Sequence, residues 1–195
     1  MKIKTVIVLA ALVVAAVALG FVLGTKETVE TGAAGNGGTD VGIQYKGHVF
    51  VEKYDAKLGK WIVVADKDNL LTNIGKEYIK KQIGNDTSLA TNSTKYISLS
   101  NNAPGEIAAT LTVLPGENTT GGLARALATY ASNGTGAWNF TKTFTATATG
   151  SVQLTGLNSE GTAGGDGTLF AATSFTSASL LADDQLRIVW SISIS

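Results

Sequence analysis

Leu186-Arg187-Ile188-Val189-Trp190-Ser191-Ile192-Ser193-Ile194 carries the pattern that decides the fold class. Leu186, Ile188, Trp190, Ile192 and Ile194 alternate with Arg187, Val189, Ser191 and Ser193. Successive side chains of an extended chain point to opposite faces, so one face of this segment must be core. The same period of two runs through Val41, Ile43, Tyr45, Val49 and Val51, set against Gln44, Lys46, His48 and Glu52. A turn at Asp55-Ala56-Lys57-Leu58-Gly59 leads into Trp61-Ile62-Val63-Val64-Ala65, the returning arm of a hairpin. Further strands are predicted over 96–99, 123–131, 138–148, 151–154 and 169–175.

One helix is predicted, over 70–83, because Leu70, Leu71, Ile74, Tyr78 and Ile79 recur at three- and four-residue steps. Asp68 or Asn69 can cap its start, Lys80 and Lys81 suit its negative end, Gly84 can stop it, and Gly75 inside it is a small cost. About eight strands and one helix point to a mainly β fold, a β-sandwich or jelly-roll-like domain.

Ahead of this domain, Met1-Lys2-Ile3-Lys4 places two positive charges before an uncharged apolar run from Thr5 to Leu23. That is the layout of a secretory signal, so residues 1–24 are expected to direct export, and the protein is expected to be extracellular. Small residues suited to signal peptidase stand at Ala18-Leu19-Gly20 and Val22-Leu23-Gly24, placing the cut after Gly20 or Gly24. The run is also long enough for an uncleaved membrane anchor. A type IV pilin, cut just before its apolar helix, is disfavoured by Lys4 at that junction. Residues 25–40 are Thr, Glu, Gly and Ala with little apolar content, a flexible tether, so the chain divides into a leader (1–24), an N-terminal tail (25–46) and a head (47–195).

Composition removes several chemistries. There is no Cys, hence no disulfide, thiol nucleophile or thiolate metal site, and charged residues are 15% of the chain. Residues 96–195 hold Arg125, Lys142 and Arg187 against Glu106, Glu117, Glu160, Asp166, Asp183 and Asp184, without the basic stripe that a nucleic-acid surface needs. Lysines between Lys46 and Lys95 alternate with acids and read as solvated faces. The single His, His48, reads as a surface strand residue, and with no Gly-x-Ser-x-Gly elbow no catalytic relay can be built on it. Gly161-Thr162-Ala163-Gly164-Gly165-Asp166-Gly167 lacks a Gly-Lys-Ser/Thr ending and reads as a loop. Asp66-Lys67-Asp68 with Glu77 imitates part of a calcium loop but fails at Leu70 and Leu71, and capping acids of the helix explain it better. The pair Asp183-Asp184 reads as a turn. No catalytic residue, cofactor or metal site is expected, and the chain is not read as an enzyme.

The positive chemical signal is five glycosylation sequons, headed by Asn85, Asn92, Asn118, Asn133 and Asn139, so N-linked glycans are expected partners.

The stretch Lys67-Asp68-Asn69-Leu70-Leu71-Thr72-Asn73-Ile74-Gly75-Lys76-Glu77-Tyr78-Ile79 carries a further signal. With Tyr96-Ile97-Ser98-Leu99-Ser100-Asn101, Leu114-Pro115-Gly116-Glu117 and Gly122-Leu123-Ala124-Arg125-Ala126, it resembles a β-rich module of archaeal surface proteins. Similar modules occur in phage tail-fibre-like proteins. The resemblance implies a subunit of an archaeal surface filament of the thread or bundling-pilus kind, exported, glycosylated and joined to identical subunits by donor-strand complementation. An extended segment can complete a neighbour's sheet when it is tethered and apolar on one face. Val41, Ile43 and Tyr45 are the expected groove-filling side chains, unless Val41 to Val51 is one continuous strand of its own sheet. A membrane-anchored monomeric adhesin, a virion tail-fibre-like protein and a secreted hydrolase or sugar-binding domain are the alternatives.

Overall fold

The computed structural model describes residues 44–84 and 94–195, except 104, 106 and 166. Their alternating segments pair into two five-stranded antiparallel sheets, the β-sandwich with one short helix that the patterning predicts. The first sheet runs in the order β2 (Lys60–Asp68), β1 (Tyr45–Asp55), β10 (Gln185–Ile194), β7 (Ala137–Thr145), β6 (Thr129–Ser132). The second runs β3 (Leu70–Leu71), β9 (Leu169–Leu180), β8 (Gly150–Asn158), β4 (Tyr96–Ser100), β5 (Ala126–Leu127).

Period-two patterning accounts for the core. From the first sheet, Val49, Val51, Phe140, Phe144, Leu186, Ile188, Trp190 and Ile192 turn inward, and from the second come Ile97, Leu99, Val152, Leu157 and Phe175. The β1–β10 register sets Val49 opposite Trp190, and the β10–β7 register sets Trp190 opposite Phe140. A smaller cluster of Leu114, Leu154, Leu169 and Ala172 joins the connection between β4 and β5 to β8 and β9. Strands covered on both faces lose alternation, which is why Leu154 to Asn158 are buried without a break.

The predicted hairpin is present, with Asp55 closing its turn through bonds from Leu58 N and Gly59 N and Gly59 at φ 63. The helix differs at its start. It spans Asn73–Ile83 and is capped by Thr72, whose hydroxyl accepts from Gly75 N. Asp68 and Asn69 do not cap it: Leu70 and Leu71 pair with Ala172 and Ala171 of β9 instead, and Asp66 and Asp68 lie in β2. The C-terminal signals hold, with Lys80 and Lys81 in the last turn and Gly84 as cap. Gly75, expected as a small cost to the helix, is the residue its packing requires, because an added Cβ would lie 2.2 Å from the carbonyl oxygen of Phe170.

The segment predicted as one strand over 123–131 is divided at Ala128, where the chain crosses from the second sheet (β5) to the first (β6). The segment predicted over 138–148 ends at Thr145, and those predicted over 151–154 and 169–175 extend to Asn158 and Leu180.

Two buried ionic clusters hold the loops. Arg125 Nη2 lies 2.6 Å from Glu117 Oε2 and Arg125 Nε 2.7 Å from Glu117 Oε1, with both side chains at most 5% exposed. Arg125 also donates to Glu160 O, and Gly164 N donates to Glu117, so this pair ties the 101–125 connection to the glycine-rich β8–β9 loop. At the opposite turns, Asp184 accepts from Ala56 N and Leu181 N at 2.9 Å each and from Lys53 Nζ at 2.9 Å. Burial raises the pKa of Asp184, but the bonds from Leu181, Lys53 and Ala56 outweigh that and hold it at about 2. Asp183 and Asp184 thus form the β9–β10 turn that the sequence predicts, with Asp183 at φ 71.

Candidate assembly surface

A sandwich built from open sheets leaves edge strands whose outward N–H and C=O groups lack partners, and such edges are templates for further strands. The first sheet ends on β2 and on β6. The two edges differ in chemistry. β2 exposes Ile62 and Val63 but carries Lys60, Asp66, Lys67 and Asp68, and its Trp61 ring lies under the Arg187 guanidinium at 4.6 Å. Charges of this kind blunt an edge. β6, Thr129-Tyr130-Ala131-Ser132, bears no charge and is exposed along its length.

Beside β6 lies a groove of about 450 Å³ between the helix (α1, Asn73–Ile83) and the strands β6 and β7. Tyr78 and Gln82 of the helix face Trp138, Phe140 and Tyr130 across it, and Ala128 closes the corner where the chain changes sheets. Tyr130 pairs with Phe140, their rings 5.8 Å apart, so its ring is on the core-facing side of the sheet; yet it is 60% exposed. β5 contributes only two residues to the facing sheet, and its Leu127 is exposed as well. An inward-directed aromatic side chain left exposed among the described residues, next to an uncharged strand edge, is apolar surface suited to an extended segment.

Of the donor candidates, Tyr45 is placed in its own sheet, opposite Ile194. Its ring packs edge-on to Phe170 at 5.8 Å, its hydroxyl lies 3.4 Å from Asn69 Oδ1, and burial pushes its pKa up to about 12. Gln44 extends the β1–β10 ladder by one more pair, with bonds to and from Ser195 of 2.7 and 3.1 Å. Val41 and Ile43 lie outside the described residues, as do the leader and its apolar run.

Among the sequons, Asn133 is exposed in the β6–β7 turn, between Gly134 at φ 100 and the end of the edge strand. Asn118 is half-buried, with its N–H bonded to Leu99 O. Asn139 is inside β7, opposite Ser191 and Ala131, and its Oδ1 is buried without a partner. Asn85 and Asn92 lie outside the described residues. His48, half-exposed on β1, points both ring nitrogens at β2, to Asp66 Oδ1 and to Asp68 Oδ1 at 3.1 Å. Hydrogen bonds that its ring donates to the carboxylates of Asp68 and Asp66 raise its pKa. Periodicity put His48 on the surface, but the pairing register that makes it a cross-strand bridge was not in the pattern.

The β6 edge and its groove were missed by sequence reasoning. The available signal was a run of uncharged residues, 126–132, with Leu127 and Tyr130 on it, which reads equally well as a covered strand. The chain matches no family model, no curated protein and no solved structure.

Proposed function

We propose that this chain is the structural subunit of an extracellular filament, in which an extended N-terminal segment of one copy completes the sheet of the next. The observation that carries the reading is the pairing of an uncharged, exposed edge strand with an apolar groove, at Tyr130 and Trp138, that none of the described residues fills. The export signal and the polar tether read from the sequence ahead of the head fit a subunit that is delivered outside the cell. Loops tied down by Arg125–Glu117 and Asp184–Lys53 suit a rigid building block that has no disulfides. Glycans at exposed sequons would keep its low-charge surface soluble.

The test is cryo-electron microscopy of cell-surface material together with mass spectrometry of the mature N-terminus. Filaments built from this chain, with the apolar leader removed, are expected. Deletion of residues 25–43, which leaves the β1–β10 ladder intact, should give a folded head that does not polymerise. Filaments that still form from the truncated chain would rule out the donor role, and a chain retained in the membrane as a monomer would rule out the filament.

A further inference from the structure

We infer that Asn133 is a site of ammonia loss: the backbone nitrogen of Gly134 closes on the Asn133 side-chain amide, and water opens the resulting succinimide to aspartate or isoaspartate. The inference is independent of the filament reading. It concerns the same amide that heads a sequon.

Asparagine is thermally labile because its side-chain amide can close a five-membered ring with the backbone nitrogen of the next residue. Bulk on that next residue, a hydrogen bond from its N–H and a stiff backbone all oppose the closure. The β6–β7 turn lifts each of these restraints at Asn133. Among the described residues, Asn133 is the asparagine followed by glycine, whereas Phe140 follows the half-buried Asn139 and Ser159 the buried Asn158. Residues 131–136 are exposed, and a Cβ built on Gly134 would meet no atom within 4 Å, so the space around it is open. Asn133 N donates to Ala137 O at 2.9 Å and Ala137 N to Gly134 O at 3.4 Å, but no hydrogen bond from Gly134 N is present among the described residues. That 3.4 Å bond is the longest of the turn and loop backbone bonds described, so Gly134, at φ 100, is weakly held and keeps the rotational freedom of glycine.

The chemistry needs only water. Gly134 N gives up its proton and bonds to Asn133 Cγ, the Cγ–Nδ2 bond breaks, and ammonia leaves with that proton. Water then cleaves the ring at either of its two carbonyl carbons. Opening at Cγ gives aspartate, and opening at the main-chain carbonyl gives isoaspartate; nothing is oxidised or reduced. A sugar on Nδ2 occupies the leaving group, so glycosylation and ammonia loss exclude each other at this residue.

The two products act differently on the fold. Aspartate keeps the backbone and adds one negative charge at the rim of a pocket of about 230 Å³ that Lys46, His48 and Asp68 also line. Isoaspartate brings the side-chain methylene into the main chain ahead of Gly134, so the two bonds between Asn133, Gly134 and Ala137 can no longer both form in register. Gly136 O accepts from Ile194 N at 2.8 Å, so the end of β10 loosens with the turn.

The test incubates the full chain, made without glycosylation, at mildly alkaline pH, folded and in parallel in urea. Peptides are then read by mass spectrometry with fragmentation that separates aspartate from isoaspartate. In the folded sample Asn133 should lose its amide several-fold faster than Asn139 and Asn158, with isoaspartate among the products and a rate that rises with pH. Asn133→Gln, whose longer side chain would have to close a six-membered ring, should release several-fold less ammonia. An Asn133 as stable as Asn158 in the folded sample, whatever happens in urea, would overturn the inference, as would aspartate alone, the product of direct hydrolysis. Hydrogen exchange at Ala137 and Ile194 should quicken in the aged chain, and unchanged exchange there would overturn the loosening of the turn.

Discussion

Trp190→Ala removes the largest fully buried side chain of the sandwich. A Trp buries roughly 150–250 Å², worth about 4–6 kcal/mol at roughly 25 cal/mol per Å². Two terms reduce that figure. Alanine retains part of the area, and the indole Nε1 of Trp190 is buried with no hydrogen-bond partner, so removing it relieves a desolvation cost of about 1–3 kcal/mol. A cavity between Val49 and Phe140 adds some of the loss back, giving a net destabilisation of about 3–5 kcal/mol. For a chain of this size that is a fall in Tm of roughly 6–20 °C. Trp190→Phe, which removes the unpaired N–H but keeps a ring, should cost only about 1–2 kcal/mol. Ser193→Ala, on the other face of β10, should stay within about 0.5 kcal/mol. Guanidinium titration followed by far-ultraviolet circular dichroism measures all three without relying on the Trp that is changed. Equal and small effects of Trp190→Ala and Ser193→Ala would refute the assignment of inner and outer faces.

Gly75→Ala should destabilise by about 1–3 kcal/mol despite alanine's higher helix propensity, because the new methyl meets a backbone carbonyl; a raised Tm would contradict the packing of α1 on β9. Arg125→Met should cost about 3–5 kcal/mol by leaving Glu117 buried and unpaired. The double variant Arg125→Met with Glu117→Leu should cost less than the single one, and additive losses in a double-mutant cycle would deny the coupling. Asp184 has its pKa lowered from 3.8 to about 2, so its contribution is complete above pH 4 and is lost as the pH falls toward 2. Asp184→Asn should flatten that part of the stability–pH curve, and an unchanged acid limb would show that other carboxylates set it. If sugar is added to the folded head, intact-mass and glycopeptide analysis should find Asn133 occupied and Asn139 bare, the reverse pattern being the contrary outcome.

Alternation by itself determined that residues 186–194 and 45–51 are strands with one buried face, since side-chain direction in an extended chain follows from residue parity alone. The Gly84 stop and the basic last turn of α1 were equally local, because capping involves residues within a turn of one another. Pairing was not local. That β1 lies against β10, with Tyr45 opposite Ile194, depends on contacts between chain ends that no window contains. The same reason explains the start of α1: Asp68 and Asn69 are adequate caps in isolation, but Leu70 and Leu71 gain a ladder with β9, and Thr72 donates to Phe170 O at 3.0 Å. The run over 123–131 has the composition of one strand, and only the gap between two sheets obliges it to cross at Ala128. That crossing creates the candidate site. It carries Tyr130 beyond the cover of the opposite sheet, so whether this aromatic residue is core or surface was decided by how far β5 extends and not by anything in its own neighbourhood of sequence.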